Sequence, residues 1–320
     1  MGERWPGAPR CARPFPGGAG LLDREARRAW ILVDDGSARS LGAALAWSGS
    51  HGAADVDLIV GTAPEPHLPG VLARRAQPFA APPGVWALRG RELEAAAPAP
   101  CPPPPPVPDG AWEAAGALGL LGLEVVVEAG VVRGEVLGLE VARVVPAGGG
   151  WRLDVGVGAH DRAALAELRP GEDPIVALER AVAAVRRYRR PDVVRHPANT
   201  LARERWLRAA LVAHPDLVGA SELGPVEPTV PRRDLLAPSP APAVGRDGTG
   251  RPVVAVASSG IDTDLVPSAA DARECHAPGA RLVVVVPGGD DHPVTRRLAA
   301  SLAAPAEVVV APAGWESLAA

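Results

Sequence analysis

Two acidic loops are the residues here best placed to do chemistry. SSGIDTD (258–264) follows the apolar run PVVAVA, and PGGDDHP (287–293) follows LVVVV. A parallel α/β sheet gathers such loops beyond the carboxyl ends of its strands. Asp262, Asp264 and Asp290 are therefore candidates to hold a hard cation such as Mg²⁺, which takes oxygen ligands. Asp291 and His292, and in the N-terminal segment Asp34, Asp35, Glu65 and His67, occupy comparable places. A centre of this kind would serve a metal-dependent phosphoester hydrolase. Asp, Ser and Gly also turn chains and cap helices, so the structural reading stands beside it.

The second candidate is electrostatic. ERAVAAVRRYRRPDVVRHPANTLARERWLR (179–208) carries nine arginines against Glu179, Asp192 and Glu204, a local balance of +6. Leu178, Val182 and Val185 fall at helical core spacing, which assigns Arg186, Arg187, Arg189 and Arg190 to an exposed face. With Arg195, Arg203 and the ring of Trp206 they could hold nucleic acid or a phosphorylated ligand, phosphates on the guanidinium groups and bases on the rings. A solvated helix face or interdomain ion pairs would read the same way.

A third set lies in LEVVVEAGVVRGEVLGLEVARVV (123–145) and WRLDVGV (151–157): Glu128, Glu135, Glu140 and Asp154. An α-β-β-β-α order over about 80 residues resembles the core of restriction-endonuclease-like folds. That resemblance implies a carboxylate, a variable residue and a lysine on the third core strand. Here the strand reads Asp154-Val155-Gly156, and the chain has no lysine; all 33 basic side chains are arginine. A catalytically silent scaffold is the better expectation, and Glu135 and Glu140 are equally well read as solvent-face residues of a hairpin. GVGAHD (156–161) matches a dinucleotide fingerprint only in its first two glycines.

The absence of lysine removes whole classes of chemistry. A Walker A loop needs its lysine on the β- and γ-phosphates, and Schiff-base catalysis needs an amine. Arginine stays protonated, so the cations of this chain can clamp anions but not act as bases. No GxSxG elbow, HExxH or paired CxxC occurs. A net charge of −4 makes no global case for nucleic acid or an anionic membrane surface. Cys11, Cys101 and Cys275 are odd in number and far apart, so a disulfide is not expected and a reducing compartment is. No eighteen-residue apolar run or signal-like start is present, and the expected location is cytoplasmic.

The elements that must position these residues follow from punctuation and periodicity. Two proline-rich stretches, 97–110 and 224–250, read as linkers, and 1–20 as a disordered tail. Segment 21–96 gives strands at 29–33, 56–60 and 85–88 with helices between. Segment 251–320 repeats that order with strands at 252–257, 282–286 and 307–311. Continuous Val/Leu runs alternating with helices predict parallel strands covered on both faces. The overall expectation is an α/β fold: two Rossmann-like β-α-β-α-β units flank a mixed α+β middle segment, 111–223. The outer units read as an internal duplication that could join into one sheet. The phrase VVAVASSGIDTDLVPSAADAR is similar to uncharacterised proteins of high-GC actinobacteria, which implies a source and no activity. Two functions stay open beside a scaffold for protein partners: non-catalytic binding of a polyanion through the arginine segment, and metal-dependent hydrolysis at the acidic loops.

Overall fold

A computed structural model describes residues 11–23, 27–34, 36–61, 65–169, 171–193, 196–232, 237 and 239–319. It is a mixed α/β structure with three sheets and, among the described residues, nine α-helices. The chain forms two compact units, one from 1–101, 262–275 and 292–308, the other from 102–261, 276–291 and 309–320.

In the first unit, β1 (Cys11–Phe15), β2 (Gly18–Asp23), β3 (Arg28–Val33), β4 (Asp55–Gly61), β5 (Gly84–Arg89) and β6 (Glu92–Ala95) make one sheet in chain order. β3, β4 and β5 run parallel through α1 (Ser40–Ser50) and α2 (Leu68–Ala76), while β1, β2 and β6 join antiparallel. Residues 11–20, expected as tail, are thus largely a hairpin. Phe15 is buried, and Gly20 leaves room for the Trp47 ring, which an added Cβ would meet at 2.4 Å. The strand register puts Ile31, Leu58 and Val85 on a buried face and Leu32, Ile59 and Trp86 on a partly exposed one. Both faces were expected to be covered. Neighbouring strands taken in sequence order send every right-handed crossover to the same side, so α1 and α2 cannot cover both.

Two later helices belong to this unit: α9 (Pro293–Ala300) and, up to Cys275, α8 (Leu265–His276). Buried charges hold α8. Arg74 grips Asp271 with two hydrogen bonds at 2.8 and 3.0 Å, and Arg75 grips Asp264 at 3.0 and 3.1 Å. A disulfide, Cys101–Cys275, closes over the same helix. The expectation that no cysteines pair is overturned, and with it the cysteine argument for a reducing compartment. Sequence spacing carried no warning, because the partners are 174 residues apart and meet only through the tertiary fold.

The second unit holds two sheets. One is an antiparallel meander of β7 (Glu124–Glu128), β8 (Val131–Val136), β9 (Leu139–Ala147) and β10 (Gly150–Val155). Its helices are α3 (Asp109–Leu120), α4 (Gly158–Leu168), α5 (Pro174–Tyr188) and the short α6 (Pro197–Thr200), while the apolar side of α7 (Arg203–Ala213) packs on the unit's other sheet. The other sheet runs β11 (Glu222–Pro225), β12 (Ala241–Arg246), β13 (Pro252–Ala257), β14 (Arg281–Pro287) and β15 (Glu307–Ala311). β13 and β14 are parallel, and β11 and β12 add antiparallel at the edge. β12 lies inside the stretch read as a linker; APAVGR has too little apolar content to signal a strand. The outer segments form separate sheets, not a shared one.

Two outcomes follow. Cross-linking across 174 residues constrains the unfolded chain, so replacing both cysteines by serine should destabilise the first unit by up to about 5 kcal/mol in non-reducing urea melts. Burial pushes the Asp264 carboxyl up to about 6, against the pull of Arg75 and Arg39. A carboxyl raised on folding contributes stability below its unfolded pKa, and that is lost as pH rises through 6. Against Asp264→Asn, the native chain should therefore lose up to about 3 kcal/mol between pH 4 and pH 7, measured by melts across that range.

Candidate functional site

The meander divides polar from apolar side chains by register. Val125, Val127, Val132, Val136, Leu139 and Val144 face α3 and α5 within a buried core. Glu124, Glu128, Arg133, Glu135, Glu140, Arg143 and Asp154 share the other face. A register shift at Gly134/Glu135 makes this possible. It leaves Val141 as an extra residue, so Glu140 and Arg143, three apart, point the same way.

Glu135 and Glu140 are not solvent-face residues: they are 0% and 3% exposed. α7 lies over them. Arg205 reaches Glu135 at 2.6 Å and Glu128 at 2.7 Å, and Arg208 reaches Glu135 at 2.7 Å. Glu140 receives Arg133 and Arg143 at 2.7 Å and Arg162 at 3.1 Å, and Arg162 also meets Asp154 at 3.2 Å. Burial opposes the charge on Glu128, yet Arg205 and Arg133 outweigh it and hold the carboxyl below its ordinary range. Burial likewise opposes Arg205, and Glu135 and Glu128 together raise its pKa. Two-residue turns with positive φ connect the strands: Ala129-Gly130 and Leu137-Gly138. At Gly138 a Cβ would sit 2.3 Å from the Arg205 carbonyl carbon, so only glycine lets α7 approach this closely.

This charged face opens into a cavity of about 730 Å³. Five guanidinium groups line it, from Arg133, Arg143, Arg162, Arg205 and Arg232, against three carboxylates, Glu128, Glu140 and Glu227. Glu135, Asp154 and Glu204 stand behind the lining, each on one of these arginines. The first residues of α4, Gly158, Ala159 and His160, also border the space. A helix start adds partial positive charge and backbone N–H groups. Burial, then the neighbouring Arg143, lowers the pKa of Arg162. Burial also lowers that of Arg232, against the pull of Glu204.

The predicted arginine surface separates into two parts. Arg186, Arg187 and Arg190 are exposed; Arg187 lies 5.4 Å from the Tyr188 ring, and Arg190 pairs with Asp192. Arg189 was expected on the same exposed face but is 1% exposed, donating to the carbonyls of Leu137, Leu201, Ala202 and Ala198. α5 ends at Tyr188, so helical spacing no longer governs residue 189. Burial pushes its guanidinium down to about 9, still protonated at neutral pH. Trp206 was expected to stack on a ligand. It is 1% exposed in the core, under Arg189 and edge-on to Trp315. Arg203 is half-buried on Glu316. Arg195 and Asp35 lie outside the described residues.

Each acidic-loop residue has a structural partner. Asp262 accepts from Arg39 at 2.6 Å and caps the Asp264 N–H; Asp264 is taken by Arg75 and Ser268. Asp290 accepts the Gly260 N–H at 2.7 Å, which joins the loops after β13 and β14. Among the described residues, no three His, Cys, Asp or Glu side chains are grouped to hold a metal ion. No helix among them is long and apolar enough to cross a membrane. Compared with known proteins, the chain matches no family model, no curated protein and no solved structure.

Removing one charge of a buried set strands its partners. Glu135→Gln should destabilise the second unit by roughly 3–5 kcal/mol in urea melts, whereas replacing Glu128, Glu135, Arg205 and Arg208 together by methionine should cost far less.

Proposed function

We propose that this chain is a non-catalytic binding protein whose cavity in the second unit takes a small phosphorylated ligand. The supporting observation is the lining: five guanidinium groups and a helix start face a space of about 730 Å³, within the size of small-molecule sites. The acids that an endonuclease-like reading would give to a metal are instead committed to arginines. They hold the cations in place before any ligand arrives. Hydrolysis at Asp262, Asp264 and Asp290 with Mg²⁺ has weaker support for the same reason, since these carboxylates serve Arg39, Arg75 and a loop amide.

A second reading, nucleic acid on the outer surface, draws on the exposure of Arg186, Arg187 and Arg190 beside the stacked rings of Tyr188 and His196. The Rossmann-like reading of the outer segments, and their origin by duplication, rest on the shared β-α-β-α-β order. The endonuclease-like reading of the middle segment rests on the order of α3 and the meander. Neither assigns a reaction.

Titration calorimetry with inorganic phosphate and pyrophosphate at low salt tests the proposal. Both should bind, affinity should fall with salt, and Arg143→Gln should weaken each about tenfold or more, as loss of a charge-assisted hydrogen bond does. Phosphate binding unchanged by Arg143→Gln would overturn it, above all if Arg186→Gln/Arg187→Gln/Arg190→Gln abolished binding.

A further inference from the structure

The rest of the lining narrows the ligand class, and this step rests on the binding site proposed above. Beyond its charged residues and His160, the cavity is bounded by Gly158 and by Ala129, Val157, Ala159, Leu201, Pro228 and Pro231. Among the described residues, it is lined by no Ser, Thr, Asn or Gln side chain to meet a sugar hydroxyl, and by no Phe, Tyr or Trp ring to stack on a base. A nucleoside or sugar body could turn its hydroxyls and amides only to charged side chains and His160, and Glu128 and Glu140 are already engaged by arginines and Glu227 by the Ala129 N–H, so those groups would compete with existing pairs at a cost in free energy. A hydrocarbon body meets no such cost. Sites that bind nucleic acid bases supply stacking platforms, and among the described residues lining this space the one aromatic ring is the His160 imidazole.

The proline wall is held in place. The Glu227 carboxylate accepts the Ala129 N–H at 2.7 Å, and the Glu227 carbonyl meets His276 Nε2 at 2.9 Å. Arg232, beyond Pro231, is tied to Glu204 at 2.9 Å. Pro228 and Pro231 thus present rigid apolar surface between anchored residues, on a wall that needs little ordering when a ligand binds.

We infer that the ligand is an amphiphile: an anionic phosphate head on the guanidinium groups, with an aliphatic chain against Leu201 and the two prolines. A fatty carboxylate shares this chemistry, so the test separates the two heads.

A homologous series of methyl, butyl, hexyl and octyl phosphate, measured by calorimetry on the full chain, reads the aliphatic part. Each buried methylene should raise affinity about fourfold until the cavity is filled. Leu201→Ser should flatten that dependence, with circular dichroism to check that the variant is folded. Arg143→Gln should lower every member by a similar factor. Octanoate binding more weakly than octyl phosphate supports the phosphate head, and the reverse order overturns it. Adenosine monophosphate or ribose 5-phosphate binding more tightly than hexyl phosphate would overturn the aliphatic class, as would a flat series. If inorganic phosphate binds and the series is flat, only this inference falls. If no phosphate of any kind binds, the binding proposal itself falls.

Discussion

Carboxylate–guanidinium contacts on the charged face of the meander are the constraint on which the second unit depends. Glu135 and Glu140 are withdrawn from water, and a buried carboxylate without a partner costs several kcal/mol. Each must therefore be surrounded by donors, and in a chain without lysine the cations that remain are guanidinium groups. Arginine suits that role because its planar fork reaches two carboxylates at once, as Arg205 does between Glu128 and Glu135 and Arg133 between Glu128 and Glu140. The arrangement fixes the position of α7, the close approach at Gly138 and the extra residue at Val141. Core and cavity lining are consequently hard to separate here. The groups that hold the helix in place are also the groups that give the cavity its charge.

The first unit solves a related problem with fewer parts. Arg74 and Arg75 sit next to each other on α2 and reach Asp271 on α8 and Asp264 just before it. Fully apolar packing of similar volume would often be as stable. What ion pairs add is register, since a bidentate fork tolerates little sliding between two helices. α8 has an alanine-rich buried face (Ala269, Ala270 and Ala272) that would pack in several registers. Paired charges select one of them.

Much of the fold was legible. PVVAVA and EVVVA became strands at the residues expected, and Leu68–Ala76 became a helix, because continuous apolar runs and helical spacing report burial directly. The edges were not legible: CARPF, GAGLLD and APAVGR pair as strands through backbone hydrogen bonds that composition does not record. The site was half legible. Glu128, Glu135, Glu140 and Asp154 stood out as acids on strands, but their partners Arg162 and Arg205 come from helices beyond the sheet. For Arg205 a signal lay in ARERWLR, where Arg205 and Arg208 are three apart and share one face of α7, a spacing that sets two guanidinium groups on the one carboxylate of Glu135. Arg189 was misread because the helix stops one residue before it.

The Cys101–Cys275 disulfide also makes part of the polypeptide a covalent ring. It takes in the whole stretch between the two cysteines, including the meander, α3 to α7 and nearly all of both proline-rich segments. A single cut anywhere in that stretch, by a protease or by hydrolysis, opens the ring without producing two molecules. The pieces stay joined through sulfur until a reductant separates them. Where thiols remain oxidised, the long connecting segments can therefore be nicked without any loss of mass from the molecule.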